Sequence, residues 1–489
     1  MTDARDVDLR ELARREADEA GFATGFGPEV ESELRELGRG GRGVEGSEGV
    51  RDLRELLWSS IDNRESRDLD QVEYAERLPG GEVRLRIGVA DVDSCVPRGS
   101  AIDRHARANT VSVYTPGAVF HMLPEQLATE LTSLLEDAER LAVVTELTVA
   151  EDGRVIATDV YRAAVRNRRK LVYEPVGEWL DGRSGVPAEV AGVEGLEEQI
   201  RLQDETAERL RALRRTNGAL ELETVEADFV VVDGRAVDLV TKTRTRSQSI
   251  IENFMVAANT SMAEYLEARG VPSLRRVVRR PERWSRMAEI AERFNERLPR
   301  EPDSRALSDF LARRRRADPA GYAELSLSVM KLVGSGEYLV EAPGREQEGH
   351  FGLAVDDYTH STAPNRRYPD LVTQRCLKAT LAGGASPYTV SELGEIAEHC
   401  NRMEDAARKV ERRMRKAATA MLLGARAGEV FEAVVTGAKP KGTFVKLAAP
   451  PAEGRVVRGE RGLDVGDRVR VRLVSTDPER GFIDFARVS

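Results

Sequence analysis

Three aspartates in the segment Ile61–Gln71 carry the clearest chemical signal in the chain. Asp62, Asp68 and Asp70 lie within nine residues of one another, in what we predict to be a loop. Carboxylates held this close repel each other unless a positive charge lies between them. Hard divalent cations such as Mg²⁺ accept such oxygen ligands together with phosphate oxygens, and two ions can activate water on a phosphodiester. An acidic loop can equally be a solvated turn or a helix cap, so the spacing alone leaves both interpretations open.

Other catalytic arrangements find little support in the sequence. The five histidines have no HxxxH spacing, and the three cysteines have no CxxC spacing. We therefore predict neither a disulfide framework nor a zinc site of four thiolates, and no Ser-His-Asp constellation can be proposed. The phosphate-binding pattern GxxxxGK followed by Ser or Thr is also missing from the sequence, so we expect no nucleotide cofactor.

Charge and composition leave a nucleic-acid partner open. The 489 residues carry a formal charge of −10, but phosphate binding depends on where cations lie rather than on their sum. Arginine, which suits bidentate phosphate contacts, is clustered in three stretches: Arg166–Lys170, Arg275–Arg280 and Arg313–Arg316. Each cluster taken alone is also typical of a solvated face.

The sequence gives no sign of membrane insertion. No stretch approaches the roughly 18 apolar residues of a membrane span. The N-terminus, MTDARDVDLRELARREADEAG, is charged throughout and lacks the apolar segment of a secretory signal. We expect a cytoplasmic protein.

Periodicity predicts an α+β chain of three domains. Residues 1–48 should form a small helical module, with a Gly-rich linker at 38–49. Residues 49–425 mix strands, such as 82–92 and 155–165, with long helices. Residues 426–489 contain four to five short strands separated by turn signals, which favours a five-stranded OB-fold barrel. The predicted helices of the middle domain lie at 194–216, 248–269, 282–297, 369–382 and 390–424.

Several motifs in consistent order resemble the ribonuclease II and R family between about residues 50 and 425. They are IDNRESRDLDQ, IGVADVDSCVPRGSAIDRHA, VYTPGAVFHMLPEQLA and, at 350–379, HFGLAVDDYTHSTAPNRRYPDLVTQRCLKA. The C-terminal segment is similar to the S1-type RNA-binding OB domain that this family also carries. The resemblance implies a mixed α/β catalytic domain of the RNB type.

The resemblance assigns roles to individual residues of the aspartate loop. It implies that Asp62, Asp68 and Asp70 hold the metal ions and that Asp70 is the residue most directly tied to hydrolysis.

Outside this loop, the resemblance implies one catalytic arginine and three substrate contacts. Arg366 would neutralise charge on the scissile phosphate, and Arg367 would bind substrate beside it. Tyr114 would stack on nucleobases near the 3′ end, and Glu252 would contact a ribose. A further acidic residue is expected in the helix at 401–414.

The implied activity is 3′-to-5′ exoribonuclease cleavage of single-stranded RNA to nucleoside 5′-monophosphates. It would use two Mg²⁺ ions, or Mn²⁺ as the alternative, in a protein that we expect to be a monomer. A second interpretation is an RNA-binding protein that keeps the fold without a working metal site. A third is a metal-dependent DNA nuclease or phosphodiesterase, which leaves the RNA-type barrel unexplained.

Departures from the family pattern bear on activity. The fourth acid of the aspartate quartet is Gln71 here, which brings a carbonyl oxygen without charge. Ala363 and Asn365 replace Ser and Ile of the second motif, and we expect both changes to be of second order. In bacterial members, two cold-shock-type domains usually precede the catalytic domain. In this chain the helical module, with a helix-turn-helix-like pattern, stands in that position. We therefore expect a differently built RNA entrance and better tolerance of structured RNA.

Overall fold

A computed structural model describes most of the chain. The described residues are 7–40, 49–223, 226–242, 244–342, 349–439, 442–447, 449–464 and 466–488. Most of the predicted linker at 38–49 lies outside them, as do Pro440 and Lys441 in the barrel's first predicted turn.

Helices and strands alternate through the first two thirds of the chain, and strands dominate the end. The helices are α1 Leu9–Glu19, α2 Pro28–Gly40, α3 Ala101–Asn109, α4 Tyr173–Leu180, α5 Ala188–Ala191, α6 Leu196–Asn217, α7 Arg246–Glu267, α8 Trp284–Glu292, α9 Ser304–Ala317, α10 Tyr322–Val333, α11 Tyr368–Leu381 and α12 Val390–Gly424. The strands are β1 Val50–Asp52, β2 Trp58–Asp62, β3 Gln71–Arg77, β4 Val83–Ala90, β5 Val113–Thr115, β6 Ala118–Phe120, β7 Glu139–Val149, β8 Val155–Val172, β9 Glu226–Val232, β10 Arg235–Lys242, β11 Ser273–Val277, β12 Glu337–Glu341, β13 Val430–Lys439, β14 Gly442–Leu447, β15 Glu453–Arg458, β16 Arg468–Asp477 and β17 Phe482–Val488. A short 3₁₀ turn, Val92–Ser94, and a π turn, Leu127–Leu131, complete the set.

The central sheet curls back on itself because one strand is unusually long. Its order is β1-β8-β2-β3-β4-β7, and β8 also pairs with β7. The first part of β8, from Val155 to Arg166, runs antiparallel to β7. Its last residues, from Asn167 to Val172, run parallel to β2. This closure leaves the loop between β2 and β3 at one end of the sheet.

Helices cover both faces of this sheet. Apolar side chains of β4, such as Leu85 and Ile87, pack against Leu210 of α6 and Phe254 of α7. The opposite face carries the largest core cluster, in which Trp58 and Val72 of the sheet share a core with α11. Helix α11 is buried from Tyr368 to Leu377, so the residues just before it are fixed against the sheet.

The long helix α12 connects the central sheet with the N-terminal helices and the barrel. Its Val410 and Met414 share a core cluster with Leu9 and Leu12 of α1. At its C-terminal end, Leu423 belongs to the core of the barrel. Val30 of α2 belongs to the main cluster of the sheet, so both helices of the predicted 1–48 module bury apolar residues against other parts of the chain.

The five C-terminal strands form the predicted closed barrel, in the order β13-β14-β15-β17-β16. Burial alternates along β16, with Val469, Val471 and Leu473 inside and the intervening arginines outside. This alternation is what a small barrel with a filled interior requires. The mixed α/β sheet and the five-stranded barrel confirm the predicted fold class. Among the described residues, no helix is long and apolar enough to cross a membrane.

Asn167 fixes β8 to the elements that carry the aspartate loop. Its side-chain amide donates to Ser60 Oγ on β2 and to the Leu134 carbonyl, both at 2.9 Å, and the residue is buried. Asn167→Ala leaves those acceptors unpaired, and we expect it to lower the free energy of unfolding by about 2–4 kcal/mol. Urea denaturation measures the loss. Asn217→Ala, at the exposed end of α6, is the control and should change stability little; equal losses in the two variants would contradict this role.

Candidate active site

The loop between β2 and β3 is anchored in the core just before Asp70. Leu69 is fully buried, and its amide donates to Ser133 Oγ at 2.9 Å. The same hydroxyl donates to the Arg67 carbonyl at 2.7 Å. The Asp70 carbonyl accepts from the Ala90 amide at 3.0 Å. These contacts fix the backbone on both sides of the aspartate.

The Asp70 carboxylate is buried between two side chains of the segment that precedes α11. Asn365 Nδ2 donates to Oδ1 at 3.0 Å, and Arg366 Nε donates to Oδ2 at 3.3 Å. Asp70 is 4% exposed. Burial raises the pKa of Asp70 to about 6, against the opposing charge of Arg366. The predicted catalytic pair, Asp70 and Arg366, is therefore brought together by residues almost 300 positions apart in sequence.

Asn365 positions Asp70, a role that the sequence did not reveal. Thr132 Oγ1 donates to Asn365 Oδ1 at 2.7 Å, so the amide nitrogen is the group that faces Asp70. Asn365 is 1% exposed. The expectation that Asn in place of Ile is a second-order change therefore missed a contact. The available signal was a polar residue at an apolar position of the motif, next to Arg366.

Asp62 and Asp68 lie beside this pair with less support from hydrogen bonds. Asp62 ends β2, is half-buried, and accepts from Ser66 Oγ and the Asn63 amide, both at 2.7 Å. Burial is the main cause that raises its pKa, and the charge of Asp68 adds to it. Asp68 is half-buried, and no hydrogen bond or ion pair to its carboxylate occurs within the described part of the chain.

The three aspartates form an open arrangement rather than a closed cage. Among the described residues, no group of three acids that includes Asp62, Asp68 or Asp70 has its ligand atoms within 4.8 Å of one another. Mg²⁺ commonly keeps several waters and binds through one or two carboxylates plus substrate phosphates, so an open set suits that ion. The buried Asp70 and the unpartnered Asp68 supply carboxylate oxygens of the required type. The residues present fit a hard divalent cation.

A tighter acidic cluster elsewhere has a different explanation. Glu267, Glu341 and Asp357 lie within 4.8 Å of one another. Arg275 is 2% exposed and forms ion pairs with all three. The guanidinium supplies the positive charge that a metal would otherwise provide. Arg276, in the same arginine cluster of the sequence, likewise forms an ion pair, with Glu404.

Tyr114 lies within electrostatic range of Asp68, Asp70 and Arg366 and is partly exposed. It lies in β5 and is 42% exposed. Its amide donates to Glu411 Oε1 of α12 at 3.2 Å, so the long helix holds the short hairpin of β5 and β6. Glu411 lies within the helical segment where a further acid was expected. An exposed aromatic face at the mouth of the site can stack on a base.

The other two predicted substrate residues are engaged by neighbouring side chains. Arg367 forms a two-point ion pair with Asp370, at 2.9 and 2.7 Å. Glu252 pairs with Arg244, and its second neighbour is Arg214 at 3.8 Å. Arg366, in contrast, keeps 48% of its side chain exposed, which leaves it able to contact a substrate phosphate.

A cavity of about 880 Å³ adjoins the predicted ribose contact, Glu252. Tyr173, at the start of α4, lines it together with Glu252, Arg214 and Arg244. Burial raises the pKa of the Tyr173 hydroxyl, and the charges of Asp62 and Glu73 add to the effect. Tyr173 was missed by the sequence reasoning. It lines the same cavity as the predicted ribose contact, Glu252, and lies within electrostatic range of Asp62.

The fold and this site define the class of protein. The RNB domain model matches residues 50–383, and the model of the RNase II-type exonuclease C-terminal S1 domain matches residues 429–488. The chain belongs to the RNB domain family, as the sequence motifs predicted.

Individual relatives are ribonucleases R and related proteins. Ribonuclease R of Thermotoga maritima is 30% identical over 465 residues, covering 88% of this chain and 63% of the relative. The structure of Mycoplasma genitalium RNase R in complex with ribose-methylated single-stranded RNA matches with a TM-score of 0.88 at 23% identity, covering 98% of this chain and 78% of that one. Yeast Ssd1, a pseudonuclease, matches with a TM-score of 0.68 at 20% identity, covering 88% of this chain and 52% of that one. The chain spans 63% and 55% of the length of the first two curated relatives.

The buried Asp70 carboxylate should cost folding free energy in metal-free protein. Its pKa is raised by burial to about 6, so the folded state holds the proton more tightly than the unfolded state. The free energy of unfolding therefore falls as pH rises from about 4 to about 6 and stays lower above that range. We expect Asp70→Asn to raise stability at pH 8 by on the order of 1–3 kcal/mol and to change it less at pH 5.

Thermal unfolding in EDTA at the two pH values measures this difference. Asp405→Asn, on the exposed face of α12, is the control for removing a carboxylate. A variant Asp70→Asn that is less stable than wild type at pH 8 would show that Asn365 and Arg366 compensate the burial fully.

Proposed function

We propose that this protein is a divalent-metal-dependent exoribonuclease that removes nucleotides from the 3′ end of single-stranded RNA. The observation that carries the proposal is the buried Asp70 carboxylate held between Asn365 and the half-exposed Arg366. Membership of the RNB family supports it. The proposed products are nucleoside 5′-monophosphates.

Each side chain of the site has a definable task in this reaction. Bound Mg²⁺ or Mn²⁺ would lower the pKa of a water molecule and stabilise the negative charge on the phosphodiester. Asp62, Asp68 and Asp70 would hold these ions. The exposed end of Arg366 would contact the scissile phosphate, and its Nε stays on Asp70. Asn365 and Arg366 fix the orientation of Asp70, so little reorganisation is needed when the RNA arrives.

Substrate binding would combine a stacking ring with basic surface. Tyr114 offers a base-stacking face beside the aspartates. On the barrel, Arg468, Arg470 and Arg472 point outward from alternate positions of β16, and Phe482 is 57% exposed. Aromatic faces and arginines together are typical of OB-fold surfaces that bind single strands. Ribose recognition would involve the Tyr173 and Glu252 side of the cavity, where a 2′-hydroxyl distinguishes RNA from DNA.

A second candidate is an RNA-binding protein without hydrolytic activity. The specific observation in its favour is Gln71, which replaces an acid of the expected quartet. The fold alone does not decide between the two, because the pseudonuclease Ssd1 shares it. The retention of Asp62, Asp68, Asp70 and Arg366 in one place favours the enzyme.

Cleavage of end-labelled strands tests the proposed activity. Purified protein is incubated with 5′-labelled single-stranded RNA or DNA of equal length, with Mg²⁺ or Mn²⁺. We expect the RNA to shorten stepwise to a small end product and the DNA to remain intact. Asp70→Asn should abolish shortening, because it removes the central carboxylate of the metal site.

Asp405→Asn should cleave like wild type and controls for general damage. Tight RNA binding without cleavage under either metal would favour the binding protein. Equal cleavage of DNA would contradict the choice of RNA.

Removal of the Tyr114 ring should weaken RNA binding. Stacking on one base contributes about 1–3 kcal/mol, so Tyr114→Ala in the Asp70→Asn background should raise the Kd for a short RNA by about tenfold. Tyr114→Phe keeps the ring and should bind like its parent. Fluorescence anisotropy with labelled RNA measures both. Unchanged affinity of the Ala variant would place the 3′ bases elsewhere.

A further inference from the structure

Glu73 is a second acidic residue on the strand that follows Asp70. It comes two residues after Gln71 in β3, so strand alternation places both side chains on the same face of the sheet. Glu73 is 0% exposed. It lies opposite Ser59 of β2, three residues before Asp62 ends that strand. Glu73 therefore lies on a buried face of the sheet, beside the strand that leads into the aspartate loop.

The Glu73 carboxylate lacks the partners that a buried charge requires. Both of its oxygens are without a hydrogen-bond partner among the described residues, and within the same ranges no arginine or lysine forms an ion pair with it. Leaving an ionised carboxylate in this state costs several kcal/mol or more, so buried charges are normally paired or coordinate metals. A bound cation is one way to compensate this buried negative charge.

The atoms around Glu73 are of the kind that hard cations accept. Ser59 Oγ and Gln203 Oε1 are also buried without a hydrogen-bond partner in the described chain. The Gln203 amide nitrogen donates to the Glu73 carbonyl at 3.4 Å, so this side chain lies directly beside Glu73. Carboxylate, amide and hydroxyl oxygens together make an all-oxygen set, which suits Mg²⁺, Mn²⁺ or Ca²⁺.

Electrostatic coupling to Asp62 shows that Glu73 lies near the aspartate loop. Burial raises the pKa of the Glu73 carboxyl, and the charge of Asp62 is the second cause. The Tyr173 hydroxyl responds to both Asp62 and Glu73. The Glu73 and Asp62 carboxylates therefore both lie within electrostatic range of Tyr173.

We propose that Glu73 supplies the negative charge that Gln71 does not, and that its carboxylate helps hold a divalent cation beside Asp62. The proposal rests on the proposed metal-dependent function. It restores four carboxylates to the site, namely Asp62, Asp68, Asp70 and Glu73. The fourth charge then comes from two residues further along the strand.

Binding of Mn²⁺ to the intact, RNA-free protein tests this assignment. Electron paramagnetic resonance measures free Mn²⁺ during a titration, without any need for hydrolysis. Glu73→Gln should weaken the affinity of at least one Mn²⁺ by about tenfold or more, the usual effect of losing a group that supports a metal site. Glu76→Gln, a half-buried acid on the opposite face of β3, is the matched control and should bind like wild type.

A double variant that moves the carboxylate from position 73 back to position 71 tests the proposal further. In the double variant Gln71→Asp with Glu73→Gln, the fourth carboxylate returns to position 71, and Mn²⁺ affinity should recover toward wild type. Glu73→Gln is isosteric and removes a buried charge, so it should fold. The rise in Tm on adding Mn²⁺ gives a second measurement, and it should be smaller in Glu73→Gln than in wild type.

The outcomes separate this proposal from the proposed function. If Asp62→Asn weakens Mn²⁺ binding and Glu73→Gln does not, and the Mn²⁺-induced rise in Tm is also unchanged in Glu73→Gln, the Glu73 assignment is overturned while the enzyme stands. If wild type binds no Mn²⁺ and cleaves no RNA, both proposals fail. Weakened binding that the double variant does not restore would also overturn it, since the loss would then reflect local packing.

Discussion

The structure depends on the burial of negative charge at the end of the β2–β3 loop. Asp70 is almost completely enclosed, and one exposed arginine and one amide are its polar partners. Desolvation outweighs these contacts and raises the pKa of Asp70. A protein that minimised its folding free energy would not keep such a group. In the proposed function a bound cation would offset the cost of this burial, which the hydrogen bonds leave in place.

The remainder of the fold holds this loop rigid. The long strand β8 closes the sheet around it, and Asn167 joins β8 to β2. Helix α11 is buried along most of its length, which fixes Asn365 and Arg366 at its start. Helix α12 then reaches from the Tyr114 hairpin to the core of the barrel. The loop that carries this buried carboxylate is thus surrounded by elements with large apolar contacts, and their packing compensates the cost of the burial.

Sequence patterns predicted the elements best where local signals were complete. The predicted helix 390–424 coincides with α12, whose start carries a capping box of Thr389 and Glu392. The predicted helix 282–297 ends early, at Glu292, and Asn295 shortly after it adopts a positive φ of 59°. The strand predicted at 155–165 extends to Val172. Its second half is a run of charged residues without alternation, and its partner β2 lies about 100 residues away.

The site residues likewise fall into two groups: those that local sequence reveals and those that depend on contacts between distant residues. The aspartate spacing and the motif around Arg366 could be recognised in the sequence. The contact of Asn365 with Asp70 and the burial of Glu73 could not, because each depends on residues that are far apart in the chain. A glutamate in an alternating strand is ordinarily a solvated residue. The burial of Glu73 without a partner follows from the way β2, β3 and α6 pack together.

Anomalous diffraction from Mn²⁺-soaked crystals of the wild-type protein tests directly whether the aspartate loop binds a divalent cation. We predict Mn²⁺ peaks in direct contact with carboxylate oxygens of the loop, including Asp62 or Asp70, and their loss in Asp70→Asn crystals. Crystals soaked in Mn²⁺ that show no peak near these aspartates, in a protein that still cleaves RNA, would contradict this prediction.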